Sequence, residues 1–327
     1  MKLQRIAFIS TAAILTLSAW ASTSERGYET VASSDDPQWV GAFLGRWDLT
    51  LKSPDREYPT WLELREEGGQ LKAQMVGRWG NARPLPKAEV AKGHLTFVSP
   101  KEEEGAQADM VFEGTLARKN LSGTVKGPDG KTWQWTGVRA PALKRNQVPK
   151  SGKPIELFNG KDLTGWRMEG AGTTKWTVEG NNLISPGNGP ELINNSKFGD
   201  FKLHMEFKCD PNSNSGVYLR GRYEVQIETD SIEEPPSHHM GGVYGFLAPT
   251  PELPRQPGEW LSFDVTLIGR WITVVQNGQT IIDNKEIPGI TGGALDSREE
   301  LPGPLYLQGS EKGHVSYRSI LIMPAEN

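Results

Sequence analysis

Between Asn214 and Ile227 the chain reads Asn-Ser-Gly-Val-Tyr-Leu-Arg-Gly-Arg-Tyr-Glu-Val-Gln-Ile, two short alternating runs that meet at Gly221. Alternation sets Val217 and Leu219 on one face and Tyr218 and Arg220 on the other, then Tyr223, Val225 and Ile227 against Arg222, Glu224 and Gln226. A chain reversal at Gly221 brings Arg220, Glu224 and Gln226 onto a shared sheet face, so that a guanidinium, a carboxylate and an amide lie together. On alternation alone such a face reads as exposed sheet with a surface ion pair, weighed against the polar wall of a site. Directly after it, Asp230-Ser-Ile-Glu-Glu-Pro-Pro-Ser-His238-His239 is dense in metal-binding side chains. Asp230, His238 and His239 are candidate ligands for a divalent metal ion acting as a Lewis acid. Adjacent histidines cannot face one way on a strand, and loop acids are usually solvated, which weighs against that set.

The elements on either side must position this hairpin. Alternation begins at Gly45 to Leu51 and returns at 61–64, 71–76, 94–98, 110–116, 121–125 and 132–138, which makes seven or eight short strands. Turn signals such as Glu67-Gly68-Gly69 and Pro128-Asp129-Gly130 separate them at hairpin spacing. This predicts a meander closing into a small antiparallel, lipocalin-like barrel over residues 36–140. Trp47, Trp61, Trp79, Trp133 and Trp135 are expected to fill that barrel rather than leave it room for a ligand. Residues 141–153 are basic and proline-rich without a period, and read as a linker. From 154 to 327 strands alternate with Gly and Asn turns. The run Phe201 to Lys208 is apolar at every odd position and polar at every even one, which puts His204 and Glu206 on one face. No helix longer than a turn or two is evident, so the fold class is all-β, the barrel being followed by a two-sheet antiparallel β-sandwich.

A chain of 327 residues with 37 Gly, 23 Pro and 11 Trp suits two such domains of short strands and many turns. Lys2 and Arg5, the apolar run Ile6 to Leu17 and Ala19-Trp20-Ala21 have the three parts of a secretory signal peptide over residues 1–21, followed by a flexible leader over 22–35. The apolar run is too short to span a bilayer, and the expected location is periplasmic or extracellular. Cys209 is the only cysteine, so stability cannot come from an internal disulfide. The formal net charge is −4, and loss of Lys2 and Arg5 makes it more negative, which argues against nucleic acid as a partner. No oligomeric state is fixed by the sequence.

Several blocks in order then resemble one family: Phe158-Asn-Gly-Lys-Asp-Leu-Thr-Gly-Trp166, Asp200-Phe-Lys-Leu-His-Met-Glu-Phe207, Asn214 to Arg220, Tyr223 to Ile227, Gly241-Gly-Val-Tyr-Gly245, Gly258-Glu-Trp260 and Gly303-Pro-Leu-Tyr-Leu-Gln308. Residues from about 154 to the end resemble the 3-keto-disaccharide hydrolase domain. The resemblance implies a concanavalin-A-like jelly roll whose concave sheet holds a sugar, and an activity on glycosides that carry a ketone at carbon three. Such a ketone acidifies the hydrogen on carbon two, so a base can form an enolate that expels the group on carbon one, after which water can add. On that reading Arg220 stabilises the oxyanion, Glu224 or His239 takes the proton, and Gln226, Glu259 and Gln308 orient hydroxyls. Glu206 joins the substrate-binding set, and Tyr218, Tyr244, Trp260 and Trp271 are candidates to stack on sugar rings. The expected partner is an oligosaccharide or glycoside, with a divalent metal ion as the candidate cofactor and no nucleotide cofactor. The non-catalytic alternative is an exported carbohydrate-binding module. Members of that family often carry Asp-His-Gly after Leu-Gln, whereas this chain has Gly309-Ser310-Glu311-Lys312-Gly313-His314. A requirement for the Asp-His pair would leave this chain altered in specificity or inactive.

Overall fold

The computed structural model describes residues 37–326 apart from 79, 102–104, 171–174 and 230–232. The expected signal peptide, the leader, Trp79 and Asp230 lie outside the described residues. After a short helix α1 (Pro37–Phe43), nine strands follow: β1 (Gly45–Lys52), β2 (Glu57–Glu67), β3 (Gln70–Val76), β4 (Arg83–Pro84), β5 (Lys87–Ala91), β6 (His94–Ser99), β7 (Met110–Ala117), β8 (Asn120–Lys126) and β9 (Thr132–Arg139). Consecutive strands pair as antiparallel hairpins, except that the ladder breaks between β4 and β5. β1 pairs with both β2 and β9, so the first and last strands meet and curl the meander into a barrel. Its interior is filled: Trp47, Leu49, Phe97, Phe112, Trp133 and Trp135 belong to one buried cluster, with the Phe97 and Phe112 rings stacked at 4.5 Å.

Trp61 departs from the expectation that it fills the barrel. It is fully buried in the core of the following domain, where its ring meets Phe246 edge-on at 5.3 Å. Every second residue of a barrel strand faces outward, and Trp61 is on that face.

The second half contains β10 (Ile155–Glu156), β11 (Trp166–Glu169), β12 (Thr177–Glu179), β13 (Asn182–Ser185), β14 (Glu191–Asn194), β15 (Phe201–Cys209), β16 (Asn214–Leu219), β17 (Tyr223–Glu228), β18 (Trp260–Ile268), β19 (Trp271–Gln276), β20 (Gln279–Glu286), β21 (Tyr306–Leu307) and β22 (Val315–Pro324). They form a larger sheet in the order β12-β13-β22-β15-β18-β19-β20, with β10 on β22, and a smaller one in the order β11-β14-β21-β16-β17. The two sheets pack as a β-sandwich. Leu203, Met205, Phe207, Phe263 and Val265 from the larger sheet meet Leu192, Val217, Val225, Ile227 and Leu307 from the smaller in one cluster. Strict alternation in β16 and β17 gives the smaller sheet this apolar inner face and leaves its polar outer face for other use. Among the described residues no helix is long and apolar enough to cross a membrane.

Candidate active site

The outer face of the smaller sheet forms the floor of a cavity of about 270 Å³, lined among others by Asn188, Glu191, Asn214, Tyr218, Glu224, Gln226, Tyr244, Tyr306, Gln308 and Glu311. The register explains the grouping. Tyr218 lies opposite both Glu224 and Tyr306, and Gly216 lies opposite Gln226. Gly216 has a steric reason: a Cβ there would stand 2.2 Å from Glu224 Oε1, so the carboxyl group rests on bare backbone.

Glu224 is 3% exposed at the cavity floor. Tyr218 Oη lies 2.8 Å from Glu224 Oε2 and 2.8 Å from the Gly292 carbonyl. One phenol proton cannot fully serve two acceptors, but a protonated Glu224 can donate to Tyr218 while Tyr218 donates to Gly292. With its carboxamide turned to satisfy its neighbours, Gln226 donates to Glu224 Oε1 at 3.3 Å and to the Ser215 carbonyl at 3.1 Å. Burial pushes Glu224 up to about 8; the Tyr218 hydrogen bond opposes this, and Glu311 and Glu191 add to it. Glu191 is also raised, chiefly by burial and further by Glu311, although the Gly309 backbone N–H donates to its Oε2 at 2.9 Å. The Tyr218 and Tyr306 rings stack at 4.1 Å, and burial keeps both phenols far above their ordinary range. Gln308 Oε1 is buried at the cavity wall and has no hydrogen-bond partner among the described residues. Among the described residues no lysine, arginine or histidine lines the cavity.

The structure thus brings together Tyr218, Glu224, Gln226, Tyr244 and Gln308 of the residues singled out in the sequence. It places the others elsewhere. Arg220 occupies the turn with a left-handed φ of 54°, which breaks the alternation and swings its side chain off the Glu224 face. Its Nη2 donates to the Gly269 carbonyl at 2.7 Å and to Tyr223 Oη at 3.1 Å, and Tyr223 in turn donates to Glu299 at 2.6 Å. His239 also lies away from the cavity: Nε2 meets the Glu234 carbonyl at 2.9 Å and Nδ1 is 3.0 Å from Glu252 Oε2. His238 stacks on Tyr244 at 4.1 Å and its Nδ1 lies 3.2 Å from Glu234. The two imidazoles thus meet different groups of the same residue, His238 the Glu234 carboxylate and His239 the Glu234 backbone carbonyl. Among the described residues no three His, Cys, Asp or Glu side chains are grouped as a metal ion needs, and Asp230 is not among those residues.

Glu206 sits on the outer face of the larger sheet, because the inner face of β15 is core, and it pairs with Arg318 at 2.6 Å. Glu259 is exposed in the connection before β18 and does not reach the cavity. Trp260 lies under Arg318, with the guanidinium carbon 4.3 Å from its ring, and Trp271 is likewise outside the cavity. Asn188, Glu191, Tyr306 and Glu311 are lining residues that sequence reasoning missed. Glu311 falls within the segment that departs from the family pattern, and that departure was the one signal that could have found it.

Comparison with known proteins gives consistent results. Residues 153–323 match the family model described as a 3-keto-alpha-glucoside-1,2-lyase-like domain. A curated 3-keto-disaccharide hydrolase from Bacteroides thetaiotaomicron is 36% identical over a stretch that covers 39% of this chain and 57% of that protein. The chain therefore spans a little over half the length of this relative. Two crystal structures of candidate glycosyl hydrolases from Parabacteroides distasonis are also similar. One has 27% identity and a TM-score of 0.44, covering 55% of this chain and 92% of the other; the second has 20% identity and a TM-score of 0.43, covering 53% and 94%.

Proposed function

Because this chain belongs to the 3-keto-alpha-glucoside-1,2-lyase-like domain family, we propose that its cavity takes a glycoside with a ketone at carbon three and cleaves the bond at carbon one through an enolate. The observation that carries the reading is Glu224, a carboxyl group held at about 8 at the floor of a cavity whose other lining residues supply amides, phenols, carboxyls, a hydroxyl and glycine backbone. A general base works best when its pKa lies near the working pH, and a glutamate raised toward that pH is a stronger base for the hydrogen beside a ketone than an ordinary one.

In this reading Glu224 carboxylate takes the proton from carbon two, and the bonding pair moves to the carbon-three oxygen as an enolate. The enolate then re-forms the ketone, its electrons close a double bond between carbons one and two, and the oxygen on carbon one leaves with the aglycone. The leaving oxygen needs a proton, and Glu224 returns to it the one it took from carbon two, carbons one and two being adjacent. The amides of Asn188, Asn214 and Gln308 border the cavity as neutral donors to the enolate oxygen and the ring hydroxyls. Addition of water across the new double bond completes a net hydrolysis.

The test is an aryl glucoside oxidised at carbon three, incubated with the protein with and without added divalent cations. Release of the aglycone is expected; no release under either condition refutes the reading. A carbohydrate-binding module would instead hold the sugar with no turnover, and Glu224→Ala would weaken that binding.

A further inference from the structure

The first domain is docked on the second through contacts that both sides are shaped to receive. Trp61 and Val76 of the barrel enter the buried cluster of the sandwich, and Ala82 packs against it. Gly289 of the sandwich leaves the space for Trp61, since a Cβ there would lie 2.2 Å from the indole. Arg46 Nη1 reaches Glu286 at 2.8 Å and Thr50 Oγ1 meets Ser297 Oγ at 2.8 Å across the same boundary. The connection from β3 to β4 then runs to the rim of the cavity. Gly80 lines it, and Asn81 packs on Gly245, where a Cβ would stand 2.5 Å from Asn81 Cβ. Gly245 follows Tyr244, itself a lining residue.

That connection is held at both ends. Arg78 lies over the Tyr58 and Trp133 rings, at 5.0 and 5.6 Å, and Arg83 Nη2 donates to Ser99 Oγ at 2.7 Å. Gly80 and Asn81 lie between these anchors, and an anchor would have to break before they could swing away.

We propose that the barrel is part of the substrate site: Gly80 and Asn81 form the wall at the Tyr244 end of the cavity and set the size of the sugar group accepted there. The inference rests on the proposed activity for the ligand class and on the barrel contacts for the wall. Gly80 has a φ of 78° and nothing within 4 Å of where a Cβ would be, so a residue that tolerates this backbone can project into open space without disturbing the packing.

The experiment measures calorimetric affinity in a Glu224→Gln background, which holds ligand without turning it over, for methyl 3-keto-glucoside and for a 3-keto-disaccharide. If the background protein binds neither ligand, the proposed activity fails and takes the ligand assignment with it. If it binds, Gly80→Asn is expected to weaken the disaccharide at least fivefold with an unchanged melting temperature. A change of less than fivefold for both ligands overturns the wall while leaving the activity standing. Gly245→Ala, which pushes Asn81 from the other side, supplies the same readout should Gly80→Asn fail to fold, under the same fivefold criterion.

Discussion

Glu224→Gln should make the protein more stable at alkaline pH while removing its activity. The folded protein holds the Glu224 proton up to about 8, against an ordinary value of 4.5. At about 1.4 kcal/mol per pH unit between those limits, ionised Glu224 costs the fold on the order of 5 kcal/mol, taken as a ceiling because an open cavity admits some water. The sign follows from proton counts. Between 4.5 and 8 the folded state binds more protons than the unfolded state, so stability falls as pH rises through that window and levels off above 8. Glutamine keeps the shape, and its amide N–H can donate to Tyr218 as the protonated carboxyl does, but it has no charge to bury. Thermal unfolding of the two proteins should therefore coincide at pH 4 and separate by pH 8.5, with the variant higher by at least about 4 °C. The rate has the opposite pH dependence: kcat/KM should rise about tenfold per unit up to pH 8 and then flatten, while the variant should lose about 10²–10⁴-fold. A stability gap that is the same at pH 4 and pH 8.5, or a rate profile that breaks near pH 4.5, would refute the argument.

Gly216→Ala puts a Cβ 2.2 Å from Glu224 Oε1; it should cut kcat at least about tenfold, because a misplaced base loses most of its effect, with far-ultraviolet circular dichroism unchanged. Trp61→Ala empties a fully buried site between the domains; denaturant unfolding should show a loss of about 3–5 kcal/mol, and a loss under 1 kcal/mol would mean that the domains are only loosely joined. Asp48 is buried on β1 against Glu299 of the sandwich, and burial first, then Glu299, raises it strongly despite Arg270 nearby. Since its folded value lies above its unfolded one, it destabilises as pH rises above the ordinary carboxylate range. Asp48→Asn should therefore raise the melting temperature at pH 8 more than at pH 4, and an equal effect at both would show that charge at this boundary is not the cause.

The parts of the fold and site legible in the sequence are those set by a short period. A two-residue alternation with Gly and Asn turns between runs is enough to place Glu224 and Gln226 on one face of a hairpin, because a half-buried strand has only two faces to choose from. The period fails where the backbone leaves the β region, and Arg220 is the instance: one residue at positive φ reverses the side on which the next contact forms. It also fails for partners chosen over long distances. Trp61 carries the pattern of a core residue, but nothing in that pattern says which of two cores receives it. Glu191 and Glu311 stand 120 positions apart in the numbering and line one cavity only because β14 pairs with β21 and the segment after β21 bonds back to Asn214 of the hairpin.

The displaced arginine is tied to the chemistry proposed for the hairpin. Had Arg220 faced Glu224, as plain alternation expects, a guanidinium within a few ångströms would favour the carboxylate and pull its pKa down by about 1–3. Glu224 would then favour its ionised form more strongly and be a weaker base toward the carbon-two proton. By tying Arg220 to Gly269, Tyr223 and the Glu299 network on the opposite side of the sheet, the turn keeps positive charge out of a cavity that already gathers Glu191 and Glu311. Those two carboxyls and the burial of the floor then raise Glu224 together. The left-handed turn residue thus acts on the site by absence. Restoring a cation on that face, for example by Gln226→Arg, should move the rising limb of the rate profile to lower pH and lower its plateau, and a profile that still breaks at 8 would separate the pKa of Glu224 from the charge around it.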